Sequence, residues 1–300
     1  MLDRRRLMGS AALGFAAAAS AAPGQAAPRD RGRQGLSSGA VRRGYCDGPF
    51  GQIHYRTAGR GTPVILCHGA GRTSHGYDLV LPRLAATGFR AIAFDTPGAG
   101  LSDAAPQEPS IAELSTAIDA VLAHLGVNSA CIAGHHTGGN MASAFAARRP
   151  RAVKALAISG PEAGFRYTSY AETIPMPARV DGAHVMDLWR KLAGYRAPSA
   201  TAEEMTRNFA YELLARPTSW HLSFATGKFD AAATYLKVRC PTLVLCGRKE
   251  GLFAYMDDTQ RLRPDFAYLE LPGLGLDEVP EAWADAVSRF FMRHRSHPAI

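Results

Sequence analysis

The stretch that decides the fold is ACIAGHHTGG, residues 130–139. It opens with a short apolar run, Ala130–Ala133, of the length of a buried β-strand, and a helical segment follows. A sharp turn between a strand and a helix forces unusual backbone angles that glycine tolerates. Three glycines surround the central residue, His136: Gly134, Gly138 and Gly139. The sequence therefore predicts a strand–turn–helix unit with His136 at its apex.

Outward from this unit, short apolar runs alternate with helical segments. Ser110–Leu125 is the clearest helix because Ser110 and Glu113 can form a capping box. Near the end of the chain, Pro280 opens a helix. The alternation predicts an α/β fold with a doubly wound, mostly parallel sheet. The other runs predicted as strands buried on both faces are Val64–Cys67, Ala91–Phe94, Ala155–Ile158, Thr242–Cys246 and Phe266–Leu271.

One segment, residues 163–238, breaks the alternation. It holds no convincing strand, is dense in aromatic residues, and predicts helices over Asp181–Ala193 and Thr201–Ala215. An insertion of this kind between two sheet strands is typical of a helical lid. The predicted core is then residues 44–162 and 239–295.

The N-terminus has the pattern of an export signal. A twin-arginine start, Arg4-Arg5-Arg6, precedes an apolar run too short to span a bilayer. We expect a signal peptide over residues 1–21, with 27 as the alternative end, and a flexible linker over 22–43. The protein is then exported through the twin-arginine pathway to the periplasm or beyond. The alternative is a retained, disordered N-terminus.

The net charge of +8 lies mostly outside the predicted core. Residues 1–43 carry +6, which leaves +2 for the rest of the chain. This distribution favours a solvated basic arm over a nucleic-acid partner. We expect a small-molecule substrate and no stable membrane anchor after export, whereas the oligomeric state stays open.

Neither a cofactor nor a metal is predicted from motifs. The chain has no phosphate-binding glycine loop and no metal-spaced cluster of histidine, cysteine and carboxylate residues. Three of the five cysteines lie within or at the end of apolar runs. We therefore expect buried thiols rather than disulfides.

Four motifs in a fixed order resemble those of the α/β-hydrolase superfamily. They are His68-Gly69-Ala70-Gly71, residues 95–102 (DTPGAGLS), residues 134–139 (GHHTGG) and residues 241–247 (PTLVLCG). The resemblance covers about residues 44–293. It implies hydrolase chemistry at the turn, with the backbone N–H groups of Ala70 and Thr137 as the two donors of an oxyanion hole.

Two catalytic positions depart from the family pattern. His136 stands where the family usually has serine, and Leu276 ends the LPGLGL stretch where its base histidine is expected. Glu250 fits the position of the acid, and Glu162 is a second candidate. A standard serine esterase is therefore disfavoured, because serine needs a neighbouring base to act as a nucleophile.

An imidazole at the apex can serve as a general base near neutral pH. We therefore expect His136 with Glu250 to support histidine-assisted hydrolase or lyase-like chemistry on a small, largely apolar organic substrate. His68 can order the oxyanion loop, and His184 in the lid can replace the missing base. The alternative is a catalytically inactive ligand-binding protein on the same fold. A carboxylate within hydrogen-bond reach of His136 would favour catalysis.

Overall fold

The computed structural model describes residues 39–105, 108–165, 178–194 and 201–296, except the side chains of residues 215–220. The strands form one sheet of eight in the order β1-β2-β4-β3-β5-β6-β7-β8. Their bounds are β1 Arg42–Gly48, β2 Gly51–Gly59, β3 Thr62–Cys67, β4 Phe89–Phe94, β5 Ala130–His135, β6 Val153–Ser159, β7 Thr242–Gly247 and β8 Ala267–Leu271.

Nine α-helices are defined within the described residues. They are α1 Val80–Ala86, α2 Ile111–Leu114, α3 Thr116–His124, α4 Thr137–Arg148, α5 Ala183–Gly194, α6 Ala202–Gly227, α7 Ala231–Tyr235, α8 Tyr255–Leu262 and α9 Pro280–His294. Apolar residues of α3 and α4 pack in one core cluster, and those of α1 and α9 pack in another. Both faces of the sheet are therefore covered, which confirms the doubly wound fold.

All six predicted strands are present, and β3 to β8 pair in parallel. One detail of the prediction is wrong: β8 is not buried on both faces but is a largely exposed edge strand. Because β8 pairs only with β7, fewer neighbouring side chains cover it, and most of its residues stay in contact with water.

The antiparallel hairpin of β1 and β2 was not predicted from the sequence. Arg42 and Arg43, assigned there to the flexible linker, belong to β1 and pair with Thr57 and Arg56. The hairpin has few buried side chains, so its apolar pattern is weak. The predicted signal peptide and most of the linker lie outside the described residues.

The predicted helices are present with small changes. The capping box at Ser110 exists, but the helix that follows divides at Ser115, whose hydroxyl donates to the Ala112 carbonyl. The second capping box, at Thr201, also exists, and α6 runs on to Gly227. In the described part of residues 163–238 the only regular elements are helices.

Two further features bear on the sequence predictions. All five cysteines are free thiols, and four of them are buried. No described helix has the length and hydropathy that crossing a bilayer requires.

Trp283 of α9 packs in the core and contacts the end of β6. Its ring is fully buried, and its indole Nε1–H donates to Ser159 Oγ at 3.0 Å. We expect Trp283→Ala to lower the free energy of unfolding by about 3 to 5 kcal/mol, because it removes a large buried ring and leaves a cavity. Chemical denaturation measures this change.

The control is Leu236→Ala, since the Leu236 side chain is exposed. Its effect should stay within about 0.5 kcal/mol. Similar losses in the two variants would contradict the anchoring role of Trp283.

Candidate active site

The turn between β5 and α4 has the shape that the glycine pattern predicts. His136 has φ 50° and ψ −119°, a backbone conformation that is uncommon for a residue with a side chain. A Cβ on Gly134 would collide with the Gly138 carbonyl, and a Cβ on Gly138 would collide with the Cys67 carbonyl. The two glycines let strand and helix approach closely, which holds His136 at the apex.

His136 contacts Glu250, the acid candidate that follows β7. The distance from His136 Nε2 to Glu250 Oε2 is 2.7 Å, across 114 positions in the chain. The other carboxylate oxygen, Oε1, accepts a hydrogen bond from the Gly247 amide at 2.7 Å. The His136 side chain is 35% exposed, whereas that of Glu250 is 4% exposed. The carboxylate is thus fixed in the interior, and the imidazole stays open to solvent.

The environment favours the charged forms of both partners. Burial lowers the pKa of His136, but the hydrogen bond and the charge of Glu250, with smaller contributions from Glu162 and Asp277, raise it above its ordinary value. Burial raises the pKa of Glu250, but the hydrogen bond from His136, the two neighbouring imidazoles and the hydrogen bond from the Gly247 amide lower it overall. The contact therefore favours the carboxylate form of Glu250 and the protonated form of His136.

Glu162, the second acid candidate, lies near His136 but has a different partner. Its Oε2 accepts a hydrogen bond from Asn140 Nδ2 at 2.6 Å, and its backbone amide contacts the Tyr235 hydroxyl. Burial raises the pKa of Glu162 to about 7, against the opposing effects of His136 and Asn140. A substantial fraction of Glu162 is therefore protonated at neutral pH.

His135 is packed behind His136. The two rings stack with centroids 3.9 Å apart, and His135 Nδ1 lies 3.1 Å from Ser159 Oγ. Burial and the charge of His136 lower the pKa of His135 to about 4. Its ring is therefore neutral at physiological pH.

The loop after β3 lies against the apex. A Cβ on Gly69 would be 3.5 Å from the Cβ of His136. His68 Nδ1 donates to the Gly69 carbonyl, and His68 Nε2 accepts from the Thr96 amide at 2.9 Å. Both ring nitrogens of His68 thus hold the loop in place. The amide of Thr137, the first residue of α4, has no acceptor within the helix.

Not every predicted residue joins the site. His184 lies at the start of α5, where its Nδ1 accepts from the Arg179 amide within the same segment. The structure therefore does not bring His184 to the His136–Glu250 pair. Leu276, at the position expected for the base, is buried among apolar residues.

Sequence reasoning missed the contacts that join the site loops to α6. Arg72, at the end of the loop after β3, pairs with Glu212 of α6 at 3.2 Å and with Asp277 at 2.6 Å. The Thr226 hydroxyl of α6 donates to the Thr137 hydroxyl at 2.8 Å. Only the position of Arg72 directly after the glycine-rich loop could have drawn attention to it.

A cavity of about 320 Å³ lies beside these contacts, and His136 is not among its lining residues. Most of the lining side chains are charged or polar, so this cavity does not suit an apolar ligand. The lining residues are Arg72, His75, Gly76, Asp78, Leu79, Glu204, Arg207, Asn208, Leu276, Asp277, Glu278, Pro280 and Glu281.

One group of described side chains could hold a metal ion. A ring nitrogen of His135, a ring nitrogen of His136 and a carboxylate oxygen of Glu250 all lie within 4.8 Å of one another. No motif predicts this set, because Glu250 is far from the two histidines along the chain.

Comparisons with known proteins agree with the fold. The family model for the alpha/beta hydrolase fold matches residues 62–273. The 2-hydroxy-6-oxononadienedioate/2-hydroxy-6-oxononatrienedioate hydrolase of Burkholderia vietnamiensis (strain G4 / LMG 22486) is 30% identical over 243 residues, 72% of this chain and 80% of that protein. A protein of Mycobacterium phage D29 is 34% identical over 113 residues, which are 38% of this chain and only 41% of that protein.

Among solved structures, an epoxide hydrolase from an endophytic Streptomyces superposes with a TM-score of 0.69 at 19% identity. The superposition covers 84% of this chain and 96% of that chain. At this identity the likeness supports the fold alone.

Gly160, just after β6, leaves the space that the His136 ring occupies. It has φ +68°, and a Cβ there would collide with His136 Cδ2 and lie 3.1 Å from Glu250 Oε2. We expect Gly160→Ala to displace the imidazole, lower the His136 pKa towards its ordinary value and destabilise the fold. Urea denaturation and NMR titration of the imidazole measure these effects.

Gly126→Ala is the matched control, because Gly126 has φ +64° and nothing within 4 Å of the added Cβ. Both variants suffer backbone strain of about 1 to 2 kcal/mol. Gly160→Ala should lose more stability than Gly126→Ala and should alone change the His136 titration. Equal effects would mean that Gly160 serves the backbone only.

The contact between His136 and Glu250 also predicts a pH dependence. Since the folded-state pKa of His136 is raised, its stabilising effect is full below its unfolded pKa of about 6.5 and disappears as pH rises through the folded pKa. Glu250→Gln should lower the His136 pKa and should destabilise the protein more at about pH 5.5 than at about pH 9. A pH-independent loss of stability would contradict the charged pair.

Proposed function

Because the chain belongs to the α/β-hydrolase fold family, we propose that it is a hydrolase of a small, largely apolar organic substrate and that His136, oriented by Glu250, is its general base. The observation that carries this proposal is the 2.7 Å contact between His136 Nε2 and Glu250 Oε2. A hydrogen-bonded carboxylate fixes the orientation and the tautomer of an imidazole, which a general base requires.

The direction of this contact determines which nitrogen can react. When Nε2–H donates to the Glu250 carboxylate, Nδ1 carries the lone pair. Nδ1 can then take a proton from an attacking water or from an acidic C–H group of the substrate. The imidazolium that results is stabilised by Glu250, just as the raised pKa of His136 indicates. The same base therefore serves hydrolysis and lyase-like proton removal.

The backbone at the apex supplies the matching electrophilic element. In the proposed reaction the amides of Ala70 and Thr137 donate to the oxygen on which negative charge develops. They are backbone groups, so a histidine at the apex does not remove them. Glu162 can supply a proton near the site at neutral pH, because burial raises its pKa to about 7 and part of it is therefore protonated.

The proposal differs from serine esterase chemistry in its intermediates. A base without a nucleophilic side chain activates water directly, so no acyl-enzyme forms. The aromatic residues of segment 163–238, including the Trp189–Phe209 pair, support a largely apolar substrate under a lid. The contact with Glu250 favours catalysis over the alternative of an inactive ligand-binding protein.

The relatives suggest which substrates to test. One of them is named as a hydrolase of 2-hydroxy-6-oxononadienedioate, and one structural neighbour as an epoxide hydrolase. We would screen short-chain esters, simple epoxides and 2-hydroxy-6-oxo-dienoates with the purified protein. His136→Ala should lower turnover by about 10² to 10⁴-fold, the usual contribution of a general base.

Glu250→Gln should also lower turnover, and it should move the inflection of the pH–rate profile to lower pH. His184→Asn is the control, since His184 lies apart from the pair. All variants are purified in parallel, because a contaminating esterase would give the same activity in every preparation. Full activity in His136→Ala would contradict the role of His136 as the base, and no turnover of any substrate would favour the ligand-binding alternative.

A further inference from the structure

The imidazoles of His135 and His136 and the carboxylate of Glu250 lie close together at the turn between β5 and α4. The hydrolase proposal uses His136 and Glu250 but gives no chemical role to His135. Yet the three ligand-type atoms lie within 4.8 Å of one another. His135 is almost fully buried, so its ring is held against the pair rather than exposed to solvent.

We propose that His135, His136 and Glu250 form a binding site for a divalent late first-row metal ion such as Zn²⁺. Two imidazoles with one carboxylate suit this class of cation, and three protein ligands leave a fourth position open. Ca²⁺ and Mg²⁺ prefer oxygen ligands and do not match this set.

The hydrogen bonds around His135 and Glu250 leave one ligand atom of each side chain available to a metal ion. His135 Nδ1 faces Ser159 Oγ, and Ser159 Oγ in turn accepts a hydrogen bond from Trp283 Nε1. This arrangement fixes the His135 ring and leaves its Nε2 for a metal ion. Glu250 Oε1 is held by the Gly247 amide, which leaves Oε2. Outer hydrogen bonds of this kind orient the ligands in protein metal sites.

A bound ion requires small movements of the side chains. Ligand atoms about 2.1 Å from a tetrahedral ion are about 3.4 Å apart. The 2.7 Å contact between His136 and Glu250 must widen, and the more distant atoms must draw together by up to about 1.4 Å. Gly160 has no side chain beside the His136 ring, which is what admits the imidazole at this place. The exposed part of His136 gives water access to the fourth position.

The metal and the general base exclude each other. In the base form, Nε2 of His136 carries the proton that it donates to Glu250. An ion that binds Nε2 takes its lone pair, and the proton moves to Nδ1, the atom that would accept a proton from water. A metal-bound His136 therefore cannot act as the proposed base, and the two proposals can fail independently.

The test uses the full chain without a polyhistidine tag, freed of metal with a chelator. Calorimetric titration with Zn²⁺ should show one ion per chain, and Co²⁺ should give visible absorption bands that report nitrogen ligands. His135→Asn, His136→Asn and Glu250→Gln should each weaken binding by at least about tenfold. Ser159→Ala keeps all three ligands and should weaken binding by about 10 to 100-fold.

Two controls separate this site from incidental binding. His124→Asn removes an exposed histidine, and His184→Asn removes a histidine of α5 outside the set; both should bind Zn²⁺ like the original chain. Circular dichroism checks that each variant is folded. Absence of Zn²⁺ binding, or binding that the three ligand variants leave unchanged, would overturn the proposal. Activity of the metal-free protein decides the hydrolase proposal separately.

Discussion

The reversal of the chain at His136 is the constraint on which the rest of the site depends. The end of β5 packs so closely on the start of α4 that Gly134 has no room for a Cβ, and the end of β3 leaves none for Gly138. This packing holds the backbone of His136 at φ 50°, a conformation that isolated residues with side chains rarely adopt. The imidazole is then presented where the ends of β6 and β7 deliver Gly160 and Glu250. One short turn thus decides which side chains from distant parts of the chain can meet.

Much of the fold could be predicted because its physical causes are local. Strands buried between two helical layers are short continuous apolar runs, and five of the six predicted ones are buried in this way. The capping boxes at Ser110 and Thr201 require only residues three positions apart. The hairpin of β1 and β2 lacks such a signal, because its side chains are mostly exposed or half-buried and its stability comes from pairing with β4. Edge strands are specified by their neighbours, which a single segment does not reveal.

Only the site residues whose place follows from the order of the strands could be predicted from the sequence. Glu250 follows β7 at the sheet edge where β5 also ends, so its place in the order of elements was informative. The ion pairs of Arg72 depend on how α6 and the loop at Asp277 pack, and no local pattern encodes that packing. The convergence of His135 on the same point was likewise hidden, because Ser159 and Trp283 set its ring orientation from other elements.

The direct contact between His136 and Glu250 also gives a physical reason for Leu276. In a triad, an imidazole on a separate loop bridges the apex residue and the acid. Here the imidazole is attached to the apex itself and reaches the acid without an intermediate residue. The leucine at position 276 adds no titratable group to this part of the molecule. Its side chain is buried and packs against the core. Under the proposed function, the histidine at the apex makes a separate base unnecessary, which leaves position 276 to a residue of the core.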